Sequence, residues 1–220
     1  MKVMVLAAGR GERMRPLTDV LPKPLLEVHN KPLIVWHLEK LVKSGFKEVI
    51  INIAHLGFKI PEYLGDGSKY GIKIAYSDEQ TNGALESAGG IKKALPLLGE
   101  ESFLVVNGDV FCDYDFNPDF DLHNKLAHLI LVQNPSHNIK GDFGLNDTLV
   151  LNKADEMYTF SGIGYYSPEL FRNLEQGKSA LAPLLRKAIE QEKITGEVHH
   201  GCWHDIGTPQ RLDEINRKIT

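Results

Sequence analysis

Cysteine is scarce in this chain: Cys112 and Cys202 are its only two. So few thiols exclude a scaffold stapled by disulfides. No apolar run approaches the roughly 20 residues that cross a bilayer, and the N-terminus carries no apolar segment with a cleavage site. A basic surplus is missing as well. Lys and Arg total 25 against 29 Asp and Glu, a formal charge of -4, which argues against a nucleic-acid partner. Internal repeats and low-complexity tracts are absent. A cytoplasmic, soluble protein with no membrane partner is expected, and a hydrophobic share of 42% is enough for an ordinary core.

What is present is concentrated in the first 25 residues, MKVMVLAAGRGERMRPLTDVLPKPL. The apolar run from Val3 to Ala8 reads as a short buried strand that opens into Gly9 and Gly11. Lacking Cβ, glycines let backbone N–H groups approach a phosphate. Arg15 and Lys23 supply the positive charge a polyphosphate needs, and Pro22 and Pro24 restrict where Lys23 can point. The segment reads as a nucleoside triphosphate site at the carboxyl end of the first strand. A dinucleotide fingerprint does not fit, because Met14 replaces its third glycine and three prolines forbid a continuous helix. A P-loop does not fit either, since no G-K-S/T follows. A surface loop that happens to carry glycines and arginines is the plain alternative.

Strand-like runs at Lys2–Ala8, Glu48–Ile53, Ile72–Tyr76, Ser102–Asn107 and His128–Val132 alternate with helical patterns at Pro32–Ser44, Lys59–Leu64 and Glu86–Leu97. That alternation predicts an α/β fold: a Rossmann-like, mostly parallel mixed sheet with helices on both faces. Further strands are expected at Thr148–Asn152 and Met157–Tyr166, and helices near Ala180–Glu192 and Pro209–Lys218. One domain over residues 1–220 is expected, its nucleotide portion in 1–133 and its sugar portion and second metal ligand in 134–220.

Two aspartates stand out after extended segments, Asp109 in NGDVFCDYD and Asp205 in WHDIGTP. Magnesium favours one or two carboxylates together with substrate phosphate oxygens, so this pair is a candidate Mg²⁺ site. A turn or cap role for Asp109 is the alternative. His200, Cys202 and His204 fall at strand spacing and raise a weaker zinc reading, in which all three share one strand face. Glu79 could accept hydrogen bonds from uracil, guanine or thymine, and its carboxylate disfavours cytosine. A solvated loop residue is the other reading of Glu79.

The run LAAGRGERMRPLTDVLPKPL resembles the signature of the sugar-1-phosphate nucleotidylyltransferases, and the similarity extends along nearly the whole chain. LGDGSKYGIKIAYS, ALPLLG, FLVVNGDVFCDYDF, TFSGIGYYSPELF and LAPLLR are most similar to the short muramate-type uridylyltransferases within that family. A Glu-Lys-Pro motif common among relatives is missing, as it is in the muramate type. The resemblance implies a glycosyltransferase-A-like nucleotidyltransferase fold and Mg-dependent transfer of a nucleotidyl group to a sugar 1-phosphate. UTP and N-acetylmuramate 1-phosphate are the favoured substrates, in peptidoglycan recycling. Mannose or glucose 1-phosphate with another triphosphate is the runner-up, and a non-catalytic nucleotide sensor is the reading from another class.

It also implies site roles. Arg15 and Lys23 are the expected catalytic cations. Leu6, Ala7, Ala8, Gly9, Gly11, Glu12, Arg13, Lys23, Glu79 and Ser87 are expected to hold the nucleotide. Asn107, Asp142 and Gly162 are expected at the sugar phosphate, and Asp109 and Asp205 at Mg²⁺. For Asp142 a turn role is the close alternative. The stretch Leu85–Gly90, LESAGG, departs from the family pattern: Ser87 keeps a hydroxyl, and Ala88 adds a methyl expected to narrow the pocket.

Overall fold

A computed structural model describes residues 1–80 and 83–218. The first half alternates strand and helix: β1 (Lys2–Leu6), the two-residue pair β2 (Glu27–Val28) and β3 (Lys31–Pro32), α1 (Leu33–Lys43), β4 (Glu48–Ile53), α2 (Lys59–Leu64), β5 (Lys73–Asp78), α3 (Glu86–Leu98) and β6 (Phe103–Asn107). Then come β7 (Val110–Cys112), β8 (Ala127–Val132), β9 (Phe143–Asn146), β10 (Leu149–Leu151), β11 (Met157–Tyr166), α4 (Leu181–Ile189), β12 (Ile194–His199), β13 (Trp203–Asp205) and α5 (Pro209–Lys218).

Nine strands form one sheet in the order β5-β4-β1-β6-β11-β8-β12-β10-β9. The parallel ladder expected from the alternation runs from β5 to β6. Antiparallel β11 then inserts between β6 and β8, so the half beyond β6 is mixed. β9, β12 and the small β7–β13 ribbon were not among the expected strands; β7, β9 and β13 are three- and four-residue pieces that carry too little periodicity to read. The sequence run at Lys2–Ala8 ends as a strand at Leu6, and Ala7 and Ala8 leave the ladder to line a cleft.

Side chains of β1 alternate between two cores. Val3 and Val5 pack with Ile34, Leu38 and Ile60 of α1 and α2. Met4 packs with Ile91 and Leu185 of α3 and α4. Both faces of the strand are therefore buried, which is why the run is continuously apolar rather than alternating. A third cluster joins Met14 and Leu26 to Ile206, Leu212 and Ile215, clamping α5 against the N-terminal loops. Asp205 and Arg13 are carried to the same region by that clamp. No helix among the described residues is long and apolar enough to cross a membrane.

Candidate active site

The carboxyl ends of β1, β4, β5 and β6 surround a cleft of about 480 Å³. Ligands in open α/β sheets bind at such ends. Leu6, Ala7, Ala8, Gly9, Gly11, Glu12, Arg13, Lys23, Glu79 and Ser87 all line it, with Asn107 and Asp109 at the far side.

The glycine loop is built for this place. Gly11 adopts φ 64, and a Cβ there would lie 2.8 Å from Thr18 Cγ2. Thr18 Oγ1 donates to the Gly11 carbonyl at 2.7 Å, which holds the loop closed on itself. A single 3₁₀ turn follows at Glu12–Met14, sending Met14 into the third core cluster and Arg13 into the cleft. Arg15 then leaves in the other direction. Its Nε pairs with Asp19 at 2.9 Å, its side chain is 59% exposed, and it does not line the cleft. The arginine that the fold brings to the cleft is thus Arg13, two residues earlier than the expected catalytic one.

Lys23 sits on a one-turn 3₁₀ segment between Pro22 and Pro24, and Pro24 and Leu25 are buried beneath it. Its ammonium donates to Asp109 Oδ2 at 2.6 Å. The lysine side chain is only 11% exposed, so this charge is held in place rather than sampled by solvent. Asp109 follows β6; the Gly108 N–H donates to Leu6 O at 2.9 Å, and the Ile206 N–H donates to Asp109 O at 2.8 Å. That last bond ties the Asp109 loop to the segment carrying Asp205. Behind them lies His37, fully buried, whose pKa burial lowers to about 4 although Asp109 opposes the shift. His37 is therefore neutral near pH 7 and adds no competing cation beneath the site.

Asp205 pairs across the ribbon with Val110. Its Oδ2 accepts from Arg211 Nη1 at 2.7 Å and lies 3.4 Å from His137 Nε2. Its Oδ1 is buried and has no hydrogen-bond partner. A Cβ on Gly207 would fall 2.8 Å from that oxygen, and Gly207 lines the main cleft. A buried carboxylate oxygen left without a donor is costly unless it serves a ligand. Together with Asp109 it makes a hard-oxygen donor pair suited to Mg²⁺. The zinc alternative loses its geometry, because His200 and Cys202 precede β13 and only His204 is in a strand, so no shared face exists. Among the described residues no group of three or more His, Cys, Asp and Glu side chains is placed to hold a metal.

Three other expectations change with the structure. Glu79 is fully buried; its Oε1 accepts from Asn52 Nδ2 at 2.7 Å and its Oε2 from the Leu85 N–H at 2.8 Å. Asn52 in turn accepts from the Ala7 N–H at 2.7 Å. The carboxylate thus braces the two loops that flank the cleft instead of offering an open acceptor to a base. Asn52 was missed, though an asparagine ending the apolar run EVIIN was a visible signal. Ala88 is fully buried in the second core cluster, so its methyl does not narrow the cleft, whereas Ser87 lines it. Asp142 takes the turn role: its Oδ2 accepts from Asn138 and from the Phe160 N–H at 2.8 Å, pinning the loop after β8 onto β11. Residues 81 and 82, in the segment before Leu85, lie outside the described residues.

Gly162 acts through Asn107. It stands in the bulge between Phe160 and Ile163 with φ 81, and a Cβ there would come within 2.5 Å of Asn107 Nδ2. Gly162→Ala is expected to lose about 1–3 kcal/mol of stability and to push Asn107 from the cleft wall. Thermal unfolding reads the first effect, and the KM of the phosphorylated co-substrate reads the second.

A strand-end cleft with a glycine loop, inward Arg13 and Lys23 and the Asp109 carboxylate has the chemistry that a polyphosphate needs. The Nucleotidyl transferase family model matches residues 2–148. The chain belongs to that family. It is 54% identical to the N-acetylmuramate alpha-1-phosphate uridylyltransferase of Neisseria meningitidis, covering 97% of this chain and 96% of that one. It is 31% identical to the enzyme of the same name from Caulobacter vibrioides, over 94% of this chain and 92% of that one. A solved Bacillus anthracis structure described as a glucose-1-phosphate thymidylyltransferase superposes with a TM-score of 0.85. At 24% identity, covering 100% of this chain and 96% of that one, it speaks for the fold. This nucleotidyl transferase family member thus has a mixed α/β fold shared with sugar-phosphate enzymes.

Proposed function

We propose that the chain transfers a uridylyl group from UTP to N-acetylmuramate 1-phosphate, giving the nucleotide sugar and pyrophosphate. The 54% identity to the Neisseria enzyme over nearly both full chains carries the choice of substrates. The cleft supports the reaction class. A sugar 1-phosphate oxygen attacks the α-phosphorus; the new P–O bond forms as the bond to the bridging oxygen of pyrophosphate breaks. A phosphate monoester dianion is already a competent nucleophile, so no side chain must take a proton. Catalysis then rests on alignment and on neutralising charge.

In this reading the backbone from Ala7 to Gly11 cradles the triphosphate. Arg13 faces the charge that develops on the departing pyrophosphate. Lys23 exchanges its bond to Asp109 for the α-phosphate and the incoming sugar phosphate. Asp109 and Asp205 would hold Mg²⁺, which when bound supplies positive charge against the phosphate oxygens. Asn107, positioned by Gly162, addresses the sugar phosphate. Ser87 and the end of β1 flank the nucleoside. Residues 1–133 form the nucleotide portion and 134–220 the sugar portion with the second metal ligand, within one domain. A place in the cytoplasm and in peptidoglycan recycling follows from this substrate.

Pyrophosphate release with Mg²⁺, measured across four triphosphates and a panel of sugar 1-phosphates, tests the reading. The panel holds N-acetylmuramic acid, N-acetylglucosamine, mannose and glucose. The expected result is turnover confined to UTP with the muramyl substrate. GTP with mannose 1-phosphate would keep the chemistry and replace the substrate, and binding of nucleotide without turnover would point to a sensor.

A further inference from the structure

A second cleft of about 650 Å³ opens beside the first, between the loop after β8, the β12–β13 turn and the start of α5. Asp205 joins the two. It lines the second cleft, while its Oδ1 approaches Gly207 of the first. Trp203 lines the second cleft as well, and its indole N–H donates to Ser161 O at 2.9 Å, one residue from Gly162. The second cleft therefore borders the sugar end of the active site rather than the nucleotide end.

Its lining is unlike that expected for a neutral hexose. Arg211, His137 and His200 converge there, and Val132, Pro135 and Ile215 provide apolar wall. His199 also lines it, but its Nε2 is engaged by Asp113 at 2.7 Å. Asp205 and Glu214 are the acids present. Arg211 reaches Asp205 through Nη1, and a guanidinium carries five N–H donors in a planar fork. The donors that Asp205 does not take are free to serve a second acceptor. A guanidinium and imidazole ring nitrogens set against a small apolar wall fit a carboxylate that carries a methyl group.

We propose that this second cleft binds the lactyl ether of the sugar substrate, with the carboxylate on Arg211 and His137, the methyl against Val132 and Ile215, and His200 at the mouth. The inference rests on the muramate reading above. It assigns the discrimination between a muramyl and a plain N-acetylglucosaminyl phosphate to residues far from the nucleotide loop. A neutral hydroxyl gains only an ordinary hydrogen bond from such donors, whereas a carboxylate gains charge-assisted ones of roughly twice the strength.

The test compares kcat/KM for N-acetylmuramic acid 1-phosphate and N-acetylglucosamine 1-phosphate, with UTP saturating, in the wild type and in Arg211→Gln, Arg211→Lys and His200→Asn. Using the ratio cancels any loss that both substrates share through Asp205. Calorimetric binding of each sugar phosphate beside a non-hydrolysable UTP analogue provides a readout without turnover. Wild type is expected to favour the muramyl substrate. Arg211→Gln is expected to cut that preference roughly ten- to hundredfold, Arg211→Lys to restore part of it, and His200→Asn to cut it several-fold. His200 is exposed, so its variant reports even if Arg211→Gln fails to fold. A muramyl preference left intact in Arg211→Gln and His200→Asn would overturn the cleft assignment and leave the substrate reading standing. Equal use of both sugars by the wild type would overturn the two together.

Discussion

Lys23→Ala is expected to lower kcat by on the order of 10²–10³ while the protein stays folded. In the structure the ammonium is nearly buried and bonded to Asp109 at 2.6 Å, so its position is set before substrate arrives. A charge already fixed where negative charge must be neutralised costs no reorganisation during reaction, and that is what makes its loss large. Asp109→Ala is expected to fall by at least as much. Folding survives in both because neither side chain is itself part of the main core clusters, although Leu25 and Val110 beside them are. Breaking it costs about 1–3 kcal/mol, against a typical domain stability of about 5–15 kcal/mol. Circular dichroism and thermal unfolding check the fold, and pyrophosphate release checks the rate. Near wild-type turnover in either variant would remove both residues from the mechanism.

Arg13 and Arg15 are expected to separate sharply. Arg13→Ala should lose on the order of 10² in kcat/KM, because its guanidinium faces the cleft and stands within 3.5 Å of the Cβ position of Gly207. Arg15→Ala should stay within roughly fivefold of wild type, since it removes one exposed ion pair with Asp19. Both arginines stand near the same glycine loop, so bulk electrostatics would predict similar losses. Kinetics of the two single variants at saturating sugar phosphate distinguish these accounts. Equal losses would mean that the loop's total charge matters more than the direction in which each side chain leaves it.

The first third of the chain was legible because its signals are local. An apolar run ending in glycines, a proline-framed lysine and strand–helix alternation each occupy a few consecutive residues, and each restricts the backbone by itself. Asp109 was readable for the same reason, standing one glycine beyond a buried strand. What failed to read were matters of direction. Arg13 and Arg15 both read as site cations, and a single 3₁₀ turn decides that Arg13 alone lines the cleft. Glu79 was taken for a base reader because its partners, Asn52 and Leu85, are set by tertiary contacts rather than by neighbours in the chain.

The sequence by itself determined the α/β class, the cleft at the end of β1 and the charge set from which its chemistry is built. These follow from propensity, periodicity and covalent restriction, which act over a few residues. Only the tertiary structure decided which charges meet. Lys23 meets Asp109 across 86 positions, and Asp205 is brought beside the Asp109 loop by the β7–β13 ribbon and by α5 packing on Met14 and Leu26. Such pairings depend on how the two core clusters and the third fill their space. No short stretch of chain carries that information.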